Sequence, residues 1–544
     1  MAGSRHVAAY SLIERWKASW QNSHKSWTWP IALAALILLL PLGVIVSGLL
    51  EPSTPTWAHL KSTVLWSYAT NSIILMLACG LLTAVLGVSL AWLVSMFEFP
   101  GRKFFRWALL LPLAFPTYIA AFEYAGIFDY TGPWHLVLRS TGMENVPHIK
   151  IMNHTGLIVV LSLVLYPYTF AACRVAFESR YGNYMETARS LGMSTRKLFF
   201  KVMLPMARPA IYGGSFLVMM EVLNDYGAMK YFGINTFTTG IFSAWFSMGD
   251  LTAALRLAAI LLVFALILSW GQGYTEKKFK TTESSKSRRS VPLKVSRKKQ
   301  WLFTAICALV FFVAFVMPIA FILWQLGMLK DPFGQPEWFG ITLNSLGMAA
   351  LATGLTVLFV VLMQFVRLLD QSILMKYLGR SVAAGYAIPG AIIAVGVLAI
   401  SGVLDGWIHQ NWLVGSMGMM VLAYILRFSG VAFQPIQVEI AKRSGHMIRT
   451  AQSLGAGIHK VFSKVYLPLG KKGLITACML VFVDVLKELP LTLILRPFNF
   501  ETLATKAFEY ASDEMLMKAA LPSLLIVLVG LIPVFILHKS LDHA

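Results

Sequence analysis

Charge is scarce in this chain: 13% of its 544 residues are Asp, Glu, Lys or Arg, against 57% that are hydrophobic. With a mean hydropathy of +0.68, that balance excludes an ordinary soluble protein and points to a membrane-embedded one. Acidic residues are the rarer sign, 25 against 46 basic. A surplus of +21 suits nucleic-acid binding, but most Lys and Arg fall in segments expected on one side of a bilayer. That asymmetry orients membrane helices, and no nucleic-acid partner is expected. Cysteine is nearly absent. Cys79, Cys173, Cys307 and Cys478 sit in apolar runs without CxxC spacing, which reads as buried, inert thiols. The chain has no G-x-x-x-x-G-K-[ST] phosphate loop and no nucleophile, base and orienter set, so neither ATP binding of the usual kind nor catalysis is expected. Its eleven His and 25 Met show no ligand spacing, and no metal site is expected.

Long apolar runs are what the chain does have. About 20 helical residues cross a bilayer, and twelve such spans are read near 31–50, 68–96, 104–128, 156–176, 209–229, 252–272, 301–325, 341–366, 382–403, 413–434, 473–495 and 519–538. The expected fold is all-α and polytopic, with both termini cytoplasmic. Residues 1–30 form a cytoplasmic lead in which Val7, Tyr10, Ile13, Trp16 and Trp20 recur at helical spacing. That spacing fits an interfacial helix, and a disordered basic tail is the alternative. The run 31–50 is long for a signal core and reads as a retained span. Residues 274–300, polar and Ser-rich with ten Lys and Arg between 277 and 299, read as a flexible cytoplasmic linker between 31–273 and 301–544.

The two parts repeat each other. The stretch 185–211, METARSLGMSTRKLFFKVMLPMARPAI, returns as 448–474, IRTAQSLGAGIHKVFSKVYLPLGKKGL, with matching residues 263 positions apart (451 minus 188 for the alanines). Asn71-Ser72 and Pro116 match Asn344-Ser345 and Pro389 at an offset of 273 (389 minus 116). Since the matched loops keep one orientation, this is a parallel repeat of two six-helix halves enclosing a central pathway, with the strongest repeat over about 67–272 and 340–538. The 263 offset also pairs Glu221 with Asp484 and Asp225 with Glu488, with Lys487 added in the second half. Each carboxylate pair has i, i+4 spacing, which puts both members on one helix face. Each costs about 2.5–3.5 kcal/mol at a bilayer centre. Two readings stay open: an acidic ring near the exoplasmic end that attracts a cation or gates the path, or an ion-pair cluster using Lys487, Arg256 or Arg496, or lying at the headgroups.

The duplicated loops resemble the EAA motif of binding-protein-dependent ABC importer permeases of the MetI-like type I class. Glu186, Thr187, Ala188, Gly192, Val202, Leu204 and Pro205 carry the first copy, and Arg449, Thr450, Ala451, Gly455, Val465, Leu467 and Pro468 the second. Thr replaces the middle Ala in both, and Arg449 stands where the family has Glu. The stretches EVLNDYGAMKYFGINTFTTGIF from Glu221 and KELPLTLILRPFNFETLATKAF from Lys487 resemble the fused, two-half ferric-iron permeases. The resemblance implies short coupling helices docking on two copies of a separate ABC ATPase, which holds ATP and Mg, and a periplasmic substrate-binding protein. It also implies a multi-pass place in a bacterial inner membrane. Alternatives are the same importer class for phosphonate, thiamine or sulfate, an ion-coupled secondary transporter, or a membrane enzyme.

Overall fold

The computed structural model describes residues 27–142, 147, 149–180, 187–188, 190–279, 292–331, 337–370 and 372–543. The expected interfacial helix in the lead lies outside them. Apolar chain in lipid must satisfy its own backbone, and helices do so within one segment. The order is α1 (Trp27–Ser47), α2 (Leu65–Met96), α3 (Arg102–Ala114), α4 (Thr117–Phe128), α5 (His154–Glu178), α6 (Thr195–Asn224), α7 (Gly227–Tyr231), α8 (Phe237–Phe242) and α9 (Leu251–Phe279). The second part continues as α10 (Arg297–Met328), α11 (Glu337–Leu369), α12 (Gly390–Ile408), α13 (Met417–Ser453), α14 (Leu467–Lys487), α15 (Pro490–Leu495), α16 (Leu503–Ser512) and α17 (Leu516–His543).

Among the described residues, ten helices are long and apolar enough to cross a membrane, or eleven if the bent α3–α4 pair is one span. The fold is all-α and polytopic. The missing twelfth is α14, whose Lys471, Lys472, Asp484 and Lys487 dilute its apolar character. Four expected spans are also interrupted. The runs 104–128 and 382–403 break at Pro116 and Pro389, because a residue before proline is pushed out of the helical region. Phe115 and Ile388 are extended, with ψ of 127° and 119°. The runs 209–229 and 473–495 break after Asn224 and Lys487, where Asp225 and Glu488 turn extended. Conversely, α13 does not stop at its expected end near 434 but continues to Ser453.

The first helix of each part packs across on the other. Trp27 of α1 lies 5.7 Å from the Phe365 ring and 5.6 Å from Phe462. In α10, Thr304 Oγ1 donates to Pro100 O at 2.9 Å and Val313 O accepts from Tyr124 Oη at 2.5 Å. The expected flexible linker is tied at both edges, since α9 runs on to Phe279 and Leu293–Lys294 pairs in parallel with Phe97–Glu98. Residues 280–291 lie outside the described chain. Cys79, Cys173 and Cys307 are buried and Cys478 is half-buried; all four are free thiols.

Close helix contacts use glycine. A Cβ on Gly87 of α2 would meet Phe170 N at 2.8 Å and Thr169 Cβ at 2.9 Å on α5. Gly87→Leu is therefore expected to lower stability by at least about 1–3 kcal/mol through overpacking. A thermal melt of the purified protein in detergent checks this, and an unchanged midpoint refutes the contact.

Candidate functional site: a charged chamber where four broken helices meet

Three of the helix breaks open on one cavity of about 120 Å³, and the fourth, at Pro389, adjoins it through Tyr386; the lining includes Leu113, Pro116, Thr117, Tyr118, Tyr168, Glu221, Asn224, Asp225, Tyr386, Arg427, Asp484, Lys487 and Glu488. It lies deep in the protein, beside the middle of α5. Tyr168 on its wall is 14 residues from the His154 end of α5 and 10 from the Glu178 end, about 21 and 15 Å at 1.5 Å per residue. The chamber wall at Tyr168 therefore lies near the middle of α5.

Breaking a helix inside an apolar layer leaves backbone groups that lipid cannot satisfy, and the chamber's side chains satisfy them. Asp225 Oδ1 accepts Ala228 N at 2.9 Å, and Glu488 Oε1 accepts Leu491 N at 3.1 Å, so each carboxylate caps the short helix that comes after it. Thr238 Oγ1 donates to Asp225 O and Thr492 Oγ1 to Glu488 O, both at 2.8 Å. Two further bonds cross between the two parts. Gly390 N donates to Asn224 Oδ1 at 2.8 Å, and Lys487 Nζ donates to Leu113 O at 2.9 Å. Asn224 and Lys487 are counterparts at the 263 offset, so each closes the proline break of the opposite part.

The expected shared helix face does not form, because the helices end between Glu221 and Asp225 and between Asp484 and Glu488. The members of each pair divide their roles. Asp225 and Glu488 serve the backbone, while Glu221 and Asp484 line the cavity from α6 and α14. Glu221 Oε1 accepts from Tyr386 Oη at 2.5 Å. The expected ion-pair partners also change. Arg496 pairs with Glu509 at 2.6 Å, and Arg256 bonds the Gly48 and Glu51 carbonyls. The cation that the sequence pattern hides is Arg427, 4% exposed, whose Nε lies 3.1 Å from Glu488 Oε2 and whose Nη1 is 3.0 Å from Asn224 Oδ1. Its signal is a lone arginine inside the apolar run 413–434. No counterpart exists in the first part, where the 263 offset gives Val164, which also lines the cavity.

At the opposite end of α6 and α14 lie the duplicated loops. Leu191 N bonds Thr187 O and Met193 N bonds Ala188 O, both at 3.1 Å; Leu454 N bonds Thr450 O and Ala456 N bonds Ala451 O, both at 3.0 Å. Gly192 and Gly455 end these turns with φ of 75° and 80°, the left-handed region open to glycine. Leu191 and Leu454 beside them are 78% and 82% exposed, while Ala188 is buried. Pro205 and Pro468 stand in the first turns of the helical segments beginning at Leu204 and Leu467. The second loop's helical turns are the unbroken end of α13, which runs to Ser453. Glu186 lies outside the described residues, as does the side chain of Arg449.

The sequence that folds into two alike loops at one end and one shared chamber between the repeats is similar to that of known proteins. Residues 84–281 match the family model described as binding-protein-dependent transport system inner membrane component. With its relatives, this supports a binding-protein-dependent ABC transport permease, multi-pass in an inner membrane, that resembles the ferric-iron permeases. It is 25% identical over 473 residues to the Fe(3+)-transport system permease protein FbpB 2 of Haemophilus influenzae, covering 86% of this chain and 88% of the relative. It is likewise 25% identical to the sulfate transport system permease protein CysT of Salmonella typhimurium over 258 residues, 46% of this chain and 90% of that one. The CysT protein of Escherichia coli matches at 25% over 255 residues, with the same coverage of 46% and 90%.

Removing one member of a buried ion pair strands the other, at a cost of roughly 3–5 kcal/mol. Arg427→Ala is therefore expected to destabilise the protein strongly, and Arg427→Ala with Glu488→Gln to recover most of the loss. Detergent-phase melting of the three proteins decides it: a double variant no better than the single removes the pair from the account.

Proposed function

We propose that this chain is the membrane subunit of an importer for ferric iron, receiving cargo from a periplasmic binding protein. Two copies of a separate ATPase would drive it, and access to the chamber would alternate between the two sides of the membrane. The observation that carries the reading is the chamber's charge. Its lining holds four acidic and two basic side chains, Glu221, Asp225, Asp484 and Glu488 against Arg427 and Lys487. An excess of negative charge in a weakly screened cavity draws a cation in and repels a dianion such as sulfate. The name of the relative matched over most of both chains supports the same cargo. The sulfate-permease matches each span less than half of this chain, which supports a two-half layout rather than a sulfate substrate.

The duplicated loops are proposed as the docking points for the two ATPase copies, through Thr187, Ala188, Gly192, Leu204 and Pro205 and their partners Thr450, Ala451, Gly455, Leu467 and Pro468. Glu186 and Arg449 would make them chemically unequal. The exposed Leu191 and Leu454, each held by a left-handed glycine, give a greasy tip on a fixed turn. ATP and Mg belong to the partner, and the basic segments favour a cytoplasmic side for the loops and both termini.

Glu221→Gln with Asp484→Asn leaves both caps intact and is expected to cut labelled Fe(III) uptake at least tenfold, by analogy with the loss of one or two preorganised charges, while assembly with the ATPase persists. Undiminished uptake in that variant, or sulfate uptake by the parent, overturns the cargo assignment. Separately, Gly192→Val or Gly455→Val strains a left-handed position by about 1 kcal/mol or more and is expected to weaken stimulation of the partner's ATPase without changing the chamber. Normal stimulation in both variants would detach the loops from coupling.

A further inference from the structure

A second cavity, of about 310 Å³, opens on the side of the molecule remote from the duplicated loops. Among others, Lys230, Phe242, Arg496, Phe508, Glu509 and Asp513 line it, drawn from both parts of the chain. Tyr226 lines this vestibule and the charged chamber alike, and among the lining residues of the two cavities it alone is shared. Its ring stacks on Phe242 at 3.6 Å between centroids and 14° between planes, and leans on Phe508 at 5.6 Å and 46°. All three rings are buried, between 5% and 7% exposed.

The placement derives from the repeat. Thr236 and Thr502 open α8 and α16 with the same capping box, closed by Thr239 and Thr505. Ser72 Oγ accepts Phe237 N at 3.3 Å and Ser345 Oγ accepts Leu503 N at 2.7 Å, fixing both helices against α2 and α11. Phe242 and Phe508 stand at the same register of these two helices, 266 positions apart as the threonines are (508 minus 242, 502 minus 236). They are counterparts meeting from opposite parts, whereas Tyr226 is unmatched: its counterpart at the 263 offset is Leu489. A single tyrosine therefore fills the space between two repeat-related phenylalanines.

We propose that Tyr226, wedged between Phe242 and Phe508, is a closed aromatic gate separating the vestibule from the chamber. This goes beyond the cargo assignment and rests only on the reading of the chamber as part of the transport path. The wedge sits at the start of α7, where Asp225 caps the helix through Ala228 N and is itself held by Thr238, just before α8 carries on to Phe242. The gate is thereby built on the chamber's own wall. Opening requires α7 to swing or Tyr226 to leave the stack; the rest of the vestibule floor can stay in place.

The test is access. A cysteine at Thr117, on the chamber side, is introduced after Cys478→Ser, with the permease and its ATPase in sealed membrane vesicles. A membrane-impermeant cationic methanethiosulfonate is then added from the vestibule face. Labelling of the Tyr226 parent is expected to be slow, Tyr226→Ala to speed it roughly tenfold through loss of two ring contacts, and Tyr226→Phe to stay near the parent. Equal rates in Tyr226 and Ala backgrounds, or a parent labelled as fast as an exposed control cysteine, overturn the gate. If Tyr226→Ala does not reach the membrane, Phe508→Ala carries the same comparison. Because labelling needs neither ATP nor iron, a failed cargo assignment and a failed gate give different results.

Discussion

A helix that ends in the middle of an apolar layer must find partners for its last carbonyls and for the first amides of the next segment, or lose about 1–3 kcal/mol for each buried group left bare. This chain ends four helices at one place. Pro116 and Pro389 force two of the breaks, and the two after Asn224 and Lys487 face them across the repeat. The polar side chains of the chamber are arranged by this demand. Asp225 and Glu488 turn toward amides, Lys487 toward the carbonyl of Leu113, and Asn224 toward the amide of Gly390. The charges of Asp225, Glu488 and Lys487, expensive in lipid, become tolerable because each replaces a backbone bond that a break removed.

Duplication supplied two of every part, and the parts diverged according to what they face. The loops at the remote ends of α6 and α14 keep the same backbone bonds and the same left-handed glycine. The chamber is single and sits between the repeats, so a residue from either part lines the same space. There the pairs differ: Asn224 against Lys487, Val164 against Arg427, Tyr226 against Leu489. A single cavity shared by both parts gains nothing from repeating its walls. Two loops proposed to dock alike partners gain from being alike.

The all-α polytopic character was legible because apolar runs near 20 residues have few other uses, and Asn71-Ser72, Pro116 and the loop glycines exposed the repeat in the sequence itself. The clustering of Glu221, Asp225, Asp484 and Glu488 was legible for the same reason. Their roles were not. Spacing of i, i+4 implies a shared face only while the helix lasts, and Asp225 and Glu488 end it by acting as caps. Asp-Tyr-Gly-Ala and Glu-Leu-Pro-Leu carry that property locally, but hydropathy merges them into the span. Arg427 is hidden because one charge scarcely lowers the mean of a long apolar run. The Tyr226 wedge depends on a contact between residues some 280 positions apart (508 minus 226), which no local pattern encodes.

The breaks also make sense of how a signal at the loops would reach the chamber. From Gly192 to Asp225 the chain is nearly all helix, and so is the path from Gly455 to Glu488; each ends in the residue that caps the next short helix. A wide helical turn interrupts each path close to its loop, at Phe199–Met203 and Phe462–Tyr466. Wide turns of this kind are a common place for a helix to bend. Beyond that point α6 and α14 can move as stiff rods, each about 30 Å long at 1.5 Å per residue. A tilt at the loop end then displaces Asp225 and Glu488, and with them the amides they hold. Had the two spans run unbroken through the membrane, the same tilt would have carried α7 along with the rod. The break lets the gate helix turn against it, which is what opening a path beside a fixed cavity requires.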